Sequence, residues 1–207
     1  MGEKVVLVSR RQMAFARHAS LLGLTVRELG EPAAEAVEWG AVYWQISSMC
    51  DFVERNRMLA LLHKAPQGCT RMLDFNVRGV GVISEHTTTE SLAHCDLLKI
   101  GKMEQQALCN LLGISTKSLF DSCFDLMARF AVKTLILTHA HFGCHVFHGS
   151  TVSEKWGHLS FGQCTTEEAE GAFMAAYLAA QREQGRLFTD CHRLALEYMV
   201  RVCTSQK

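Results

Sequence analysis

Five residues able to bind a metal or move a proton crowd into one stretch, TLILTHAHFGCHVFHGS from Thr134 to Ser150: His139, His141, Cys144, His145 and His148. An H-x-H step directly after an apolar run can bring two neutral imidazoles onto one zinc ion. Three other clusters offer different chemistry. DFNVR holds Asp74, Asn76 and Arg78, and KIGKME holds Lys99 and Glu104. TTEEAEGAF holds Glu168 and Glu170. An arginine fork suits a phosphate or sugar group, and a carboxylate can serve as a general base.

The zinc reading fits only in part. Thr138, His139 and His141 resemble the T-H-x-H-x-D-H pattern of the metallo-β-lactamase family. Gly143 stands where that pattern has aspartate, and Cys144 where it has the third histidine, with His145 one place late. His145 and His148 are an odd number of residues apart on an apparent strand, so they face opposite ways. The alternative is a set of surface histidines on a loop. A zinc metallo-hydrolase using His139 and His141 is therefore the most distant of the functional readings.

The elements that must position these groups alternate regularly. Strands are predicted at Lys4–Ser9, Leu24–Leu29, Trp39–Ser47, Cys69–Val77, Asp96–Ile100 and Val132–Thr138. Helices are predicted at Arg11–Gly23, Asp51–Pro66, Thr89–Cys95, Lys102–Leu112 and Ser115–Phe130, with glycine, proline, serine and aspartate at their ends. Phe142–Phe147 and Val152–Trp156 suit a hairpin around His148–Ser150. The last 43 residues read as two helices, the first opened by a capping box at Thr165 or Thr166. Near-continuous apolar strands separated by helices predict a mostly parallel α/β sheet with helices on both faces. In such sheets ligands bind at the carboxyl ends of the strands, which is where DFNVR, KIGKME and THAHFG fall.

Composition narrows the partners. The chain has 207 residues with 21 basic and 21 acidic side chains, and no basic block, so neither nucleic acid nor an anionic membrane is an expected partner. No apolar run reaches the roughly 18 residues that span a bilayer. The nine cysteines are an odd number without framework spacing, several of them in apolar surroundings. They predict a cytoplasmic protein without structural disulfides. A single domain over residues 1–207 is expected, since no linker or repeat divides the chain.

The order of motifs resembles the ribokinase (phosphofructokinase B) family of carbohydrate kinases, in its fructokinase-like branch. LALLHKAPQGCTRMLDFNVR is similar to that branch's helix and D-x-N-x-R strand end. CDLLKIGKMEQQALCNLLG is similar to its following strand and helix, and VKTLILTHAHFG to its T-x-G-x-x-G nucleotide strand. TTEEAEGAFMAAYLAA resembles its G-A-G-D helix, and KVVLVSRRQMAFARHASLLGLTVREL its early strand–helix unit. The resemblance covers nearly the whole chain. It implies a three-layer ribokinase-like α/β fold, ATP and Mg²⁺ as cofactors, and a carboxylate that takes the proton from a sugar hydroxyl. It also implies backbone N–H groups at a helix start that hold the developing phosphate charge.

Set against that family, some positions are kept and others changed. Asp74, Asn76 and Arg78 match the D-x-N-x-R element, which the resemblance places at phosphate or sugar. Lys99 and Glu104 match the Mg²⁺-associated unit, but its asparagine is Gly101; a plain surface glutamate is the alternative for Glu104. Thr138 and Gly143 match the nucleotide loop, whose first glycine is Ala140. Aligned through Ala172–Phe173, G-A-G-D becomes Glu168-Ala169-Glu170-Gly171, so the base position is Gly171. Two carboxylates are then expected to face the place where phosphate charge develops, with Glu170 as a possible substitute base. The family's first strand, its sugar-binding aspartate and its G-G-x-x-N motif have no counterpart before Lys4. Only nine residues join Leu29 to Trp39, so the β lid is largely missing.

Together these positions predict a sugar-kinase homologue impaired or inactive in phosphoryl transfer, acting by binding a nucleotide, a sugar or a protein. A homodimer or a protein partner would cover the shortened sheet. The alternative is an active carbohydrate kinase that uses Glu170 as base under a lid supplied by a partner.

Overall fold

The computed structural model describes residues 5–8, 13–28, 39–77, 83–139, 143–156, 164–183 and 185–205. Arg78, Ala140, His141 and the segment joining Leu29 to Trp39 lie outside the described residues.

Eight strands form one sheet: β1 (Val5–Val8), β2 (Val26–Glu28), β3 (Trp39–Gln45), β4 (Thr70–Asp74), β5 (Leu97–Gly101), β6 (Thr134–Thr138), β7 (Gly143–His148) and β8 (Thr151–Trp156). Their spatial order is β2-β1-β3-β4-β5-β6-β7-β8. Pairing is parallel from β2 to β6, and β7 and β8 add an antiparallel hairpin at the far edge. The helices are α1 (Met13–Leu21), α2 (Phe52–Lys64), α3 (Glu85–Ala93), α4 (Lys102–Leu111), α5 (Leu119–Phe130), α6 (Thr166–Gln181) and α7 (Phe188–Ser205).

Alternation along the strands builds a core on each face. Val42, Trp44, Leu73, Leu98, Leu135 and Leu137 point to one side, where Met58 and Leu62 of α2, Leu108 of α4 and Leu126 of α5 pack. Ala41, Tyr43, Met72, Leu97, Ile136 and Val146 point to the other, under α1, α6 and α7. Each such side chain removed from water stabilises the fold by roughly 1.5–3 kcal/mol. Helix α6 is rich in alanine and buried along most of its circumference, as befits a helix wedged between α1 and α7. The three-layer, mostly parallel architecture expected from the sequence is therefore observed.

Several boundaries move for local reasons. Helix α3 begins at Glu85, four residues before the predicted start, because the Ser84 hydroxyl accepts the Thr87 amide and caps it there. Helix α5 begins at Leu119, capped by Ser118 rather than Ser115. Strand β4 stops at Asp74, short of Val77. Strand β2 is three residues long, with Arg27 and Glu28 exposed, which blunts this edge of the sheet. Among the described residues, no helix is long and apolar enough to cross a membrane.

Candidate functional site

The carboxyl ends of β3, β4, β5 and β6 lie side by side, because the parallel register pairs Gln45 with Asp74, Asp74 with Lys99, and Gly101 with Thr138. Helix α6 crosses above them. The register thus brings Asp74, Lys99 and Thr138 together from three separate motifs, and α6 adds Glu170.

Lys99 is the centre of this group. Its side chain is only 2% exposed, and its Nζ lies 2.7 Å from Glu170 Oε2 and 3.0 Å from Asp74 Oδ1. Burial by itself would lower the pKa of this ammonium; the carboxylates of Asp74 and Glu170 outweigh it and hold the pKa above its ordinary value. Asp74 also accepts a 3.0 Å hydrogen bond from the Tyr43 hydroxyl. Burial, and then the Asp74 charge, push the Tyr43 phenol well above its usual range. The result is a buried two-carboxylate, one-ammonium network with a neutral phenol at its edge.

Glu104 is a clamp rather than a free surface carboxylate. Its Oε2 accepts the Gly101 amide at 2.8 Å, which caps α4, and its Oε1 accepts the Val77 amide at 3.2 Å. It therefore ties the chain after β4, where Asn76 lies, to the start of α4. Neither oxygen faces a site without a partner already on it.

The expectation for Glu168 and Glu170 needs correcting. They do not stand as two like charges facing an open phosphate position. Glu168 pairs with Arg17 and His18 of α1, and Glu170 pairs with Lys99. The first-turn amides are also used: that of Glu168 bonds to Thr165 Oγ1 at 3.2 Å, and that of Ala169 to the Thr165 carbonyl at 3.0 Å. Gly171 meets α1 directly. A Cβ built there would lie 2.8 Å from the Ala14 Cβ and 2.8 Å from the Phe15 backbone nitrogen. Phe15, fully buried, in turn stacks on Tyr43 with ring centroids 4.0 Å apart. Helix α1 thus seals the Tyr43–Asp74–Lys99 group and fills the place where a residue-171 side chain would project.

The histidine stretch also rearranges. His145 is buried, not at the surface, and its Nδ1 lies 2.7 Å from His139 Nε2 while its Nε2 faces Glu154 at 3.5 Å. Burial, with the neighbouring His145 and Lys102, pushes His139 down to about 4. His148 is exposed on the opposite side of β7, as the spacing predicts, and stacks on Phe188. Gly143 has φ of +112°, a conformation that L side chains avoid, and its carbonyl accepts the His139 amide at 2.9 Å. Its glycine is thus explained by the turn itself. Among the described residues, no three histidine, cysteine or acidic side chains converge as a metal site, so His139 gains no support as a zinc ligand.

Beside Lys99, Thr138 and Glu170 lies a cavity of about 30 Å³, also lined by Cys144, Phe173 and Met199. That is the space of roughly one water molecule. Sequence reasoning missed Tyr43 and the α1 residues Phe15, Arg17 and His18. It also missed a buried chain in which Cys144 Sγ lies 3.0 Å from His192 Nε2, and His192 Nδ1 lies 2.9 Å from Ser153 Oγ. Burial pushes the Cys144 thiol up to about 12 and, with Lys155 and His145, the His192 ring down to about 4, so both are neutral. Only polar residues alternating into apolar strands hinted at these contacts.

No family model matches the chain, and no curated protein matches it. Solved structures do. Fructokinase from Vibrio cholerae O395 in a form with fructose, ADP and calcium bound superposes with a TM-score of 0.72 at 12% identity, covering 99% of this chain and 94% of that one. The apo form of the V. cholerae enzyme gives 0.61 at 17% identity over 81% of this chain, which spans 58% of that chain's length. A nucleoside kinase of Methanocaldococcus jannaschii, described as an archaeal member of the ribokinase family, gives 0.63 at 15% identity, covering 97% and 73% of the two chains. The chain accordingly has the ribokinase-like fold that its motif order implies.

Proposed function

We propose that this chain is a sugar-kinase-fold protein that does not transfer phosphate and works by binding. The observation that carries this reading is the contact of Gly171 with Ala14 and Phe15, which leaves no room for a base at that position. Supporting it, the amides of Glu168 and Ala169 are consumed within α6 and its cap, so they are not available to an oxyanion. The residues present do not fit ATP–Mg²⁺ as a phosphoryl donor complex. Both oxygens of Glu104 hold backbone amides, and Asp74 and Glu170 are committed to Lys99.

The alternative, an active kinase with Glu170 as base, meets the same difficulty. A carboxylate 2.7 Å from a buried ammonium has that charge to satisfy before it can take a proton from a hydroxyl. For the binding role, another polypeptide or a second copy is favoured over a nucleotide. Phe52 and Met103, 74% and 76% exposed, open α2 and α4 on the same edge of the sheet, where large apolar side chains in water suit a protein contact.

The test is incubation with ATP, Mg²⁺ and a panel of hexoses and pentoses, with titration calorimetry of ATP alongside. The expected result is no sugar phosphate and no heat of nucleotide binding. Turnover that disappears in Glu170→Gln would overturn the reading and establish the kinase alternative.

A further inference from the structure

Helix α6 is preceded by Cys164, and α7 carries Cys203 in its last turn. The two sulfurs are 2.8 Å apart across 39 residues of chain, closer than the van der Waals contact of two thiols. Both are buried, at 8% and 3% exposure, and both are free thiols. Their placement has a consequence for the candidate site. Thr166, Ala169, Glu170 and Phe173 of α6 and Leu196 and Met199 of α7 all line the small cavity. A covalent bond between Cys164 and Cys203 would join the start of one lining helix to the end of the other.

We propose that Cys164 and Cys203 are a two-electron oxidation site that forms an intramolecular disulfide with a low-molecular-weight disulfide of the glutathione class as oxidant. The Cys164 thiolate attacks one sulfur of the oxidant and expels the other as thiolate. Cys203, deprotonated, then attacks the Cys164 sulfur of the mixed disulfide and releases the second glutathione. Two protein thiols are oxidised to one disulfide and one oxidant molecule is reduced to two thiols, with no other electron acceptor. Burial and the neighbouring Cys164 push the Cys203 thiol up to about 12, so the second step is slow at neutral pH. Fraying of the last turn of α7 supplies the access that the folded pair lacks. Reduced, the pair leaves α6 and α7 packed together without a covalent link; oxidised, it ties them together.

The site stands apart from the binding reading above, because its test reads linkage and stability rather than any ligand. The full chain is treated with oxidised glutathione under native conditions, and peptides are mapped without reduction. The expected result is a peptide pair joined through Cys164 and Cys203, with a melting temperature raised on the order of 5–10 °C over the reduced protein. Cys50, the exposed cysteine, should carry glutathione and serves as the internal control that the oxidant is active. Cys164→Ser and Cys203→Ser should each lose the linked peptide and the thermal gain. The proposal is overturned if Cys50 is modified while Cys164 and Cys203 remain thiols. It is equally overturned if either retains glutathione without linking to the other.

Discussion

Two regions of the site face each other across a few ångströms and have met opposite fates. The strand ends of β4 and β5 keep the residues that the kinase resemblance assigns them: Asp74, Asn76, Lys99 and Glu104. The first turns of α6 carry Glu168-Ala169-Glu170-Gly171 where the resemblance has G-A-G-D. Yet the two regions share one physical condition, in which Lys99, Glu104, Glu168 and Glu170 are each engaged by partners inside the molecule. Lys99 holds carboxylates from both regions, and Glu104 holds amides. Glu168 holds Arg17 and His18. Residues that match the kinase resemblance can thus be explained by structure alone. A buried ion pair is costly to break whatever its origin, so a structural role alone suffices to account for Asp74 and Lys99.

Breaking the centre of the comparison has the largest expected effect. Lys99→Met leaves Asp74 and Glu170 without their ammonium in a buried place. It should cost about 3–5 kcal/mol in urea unfolding. Adding Asp74→Asn and Glu170→Gln to the same chain should recover much of that loss, because the cost lies in uncompensated charge. A loss under about 1 kcal/mol for the single variant would mean that the network is solvated and the two regions are not coupled.

Gly171→Ala tests the changed region alone, and here the sign decides. In a helix interior facing water, alanine is worth up to about 1 kcal/mol over glycine. Against Ala14 and the Phe15 backbone at 2.8 Å, the added methyl must force α1 away. The expected outcome is a loss of about 1–3 kcal/mol. A stabilised Gly171→Ala would show that α1 does not seat on α6, and the argument against a base at 171 would fall with it.

The fold was legible because its signals are local. Apolar strands such as LLKI and TLILT, and caps such as Asp51 and Thr165, announce themselves within a few residues. Helix α3 shows where that stops. HTTTE lacks apolar periodicity, so its start is set by the Ser84 cap and not by a stripe. The site was legible as a list of positions, since strand ends in a parallel sheet collect at one edge. What those positions touch was not. Glu168 meets Arg17 and His18 across 151 and 150 residues, and no spacing rule reaches so far. Gly171 looks in sequence like the plain loss of an aspartate; in the fold it is the close-approach glycine that lets α1 onto α6.

Gly101 should give the smallest effect and the sharpest contrast. It is the changed position inside the otherwise kept region, standing where the family has asparagine. Its backbone, at φ −78° and ψ 156°, is ordinary N-cap geometry that any residue adopts. A Cβ there would lie 3.0 Å from Glu104 Oε2, the far end of a flexible side chain, and 3.8 Å from Thr138 Oγ1. Asparagine caps a helix better than glycine by only a few tenths of a kcal/mol, and it would compete with Glu104 for the same amides. Gly101→Asn should therefore change stability by less than about 0.5 kcal/mol in urea unfolding and leave sugar phosphorylation undetectable. A loss well above 1 kcal/mol would show instead that the Glu104 clamp is rigid and that the glycine is required by it. Returning a family residue would then be as disruptive in the kept region as in the changed one, and the distinction between them would be one of sequence only.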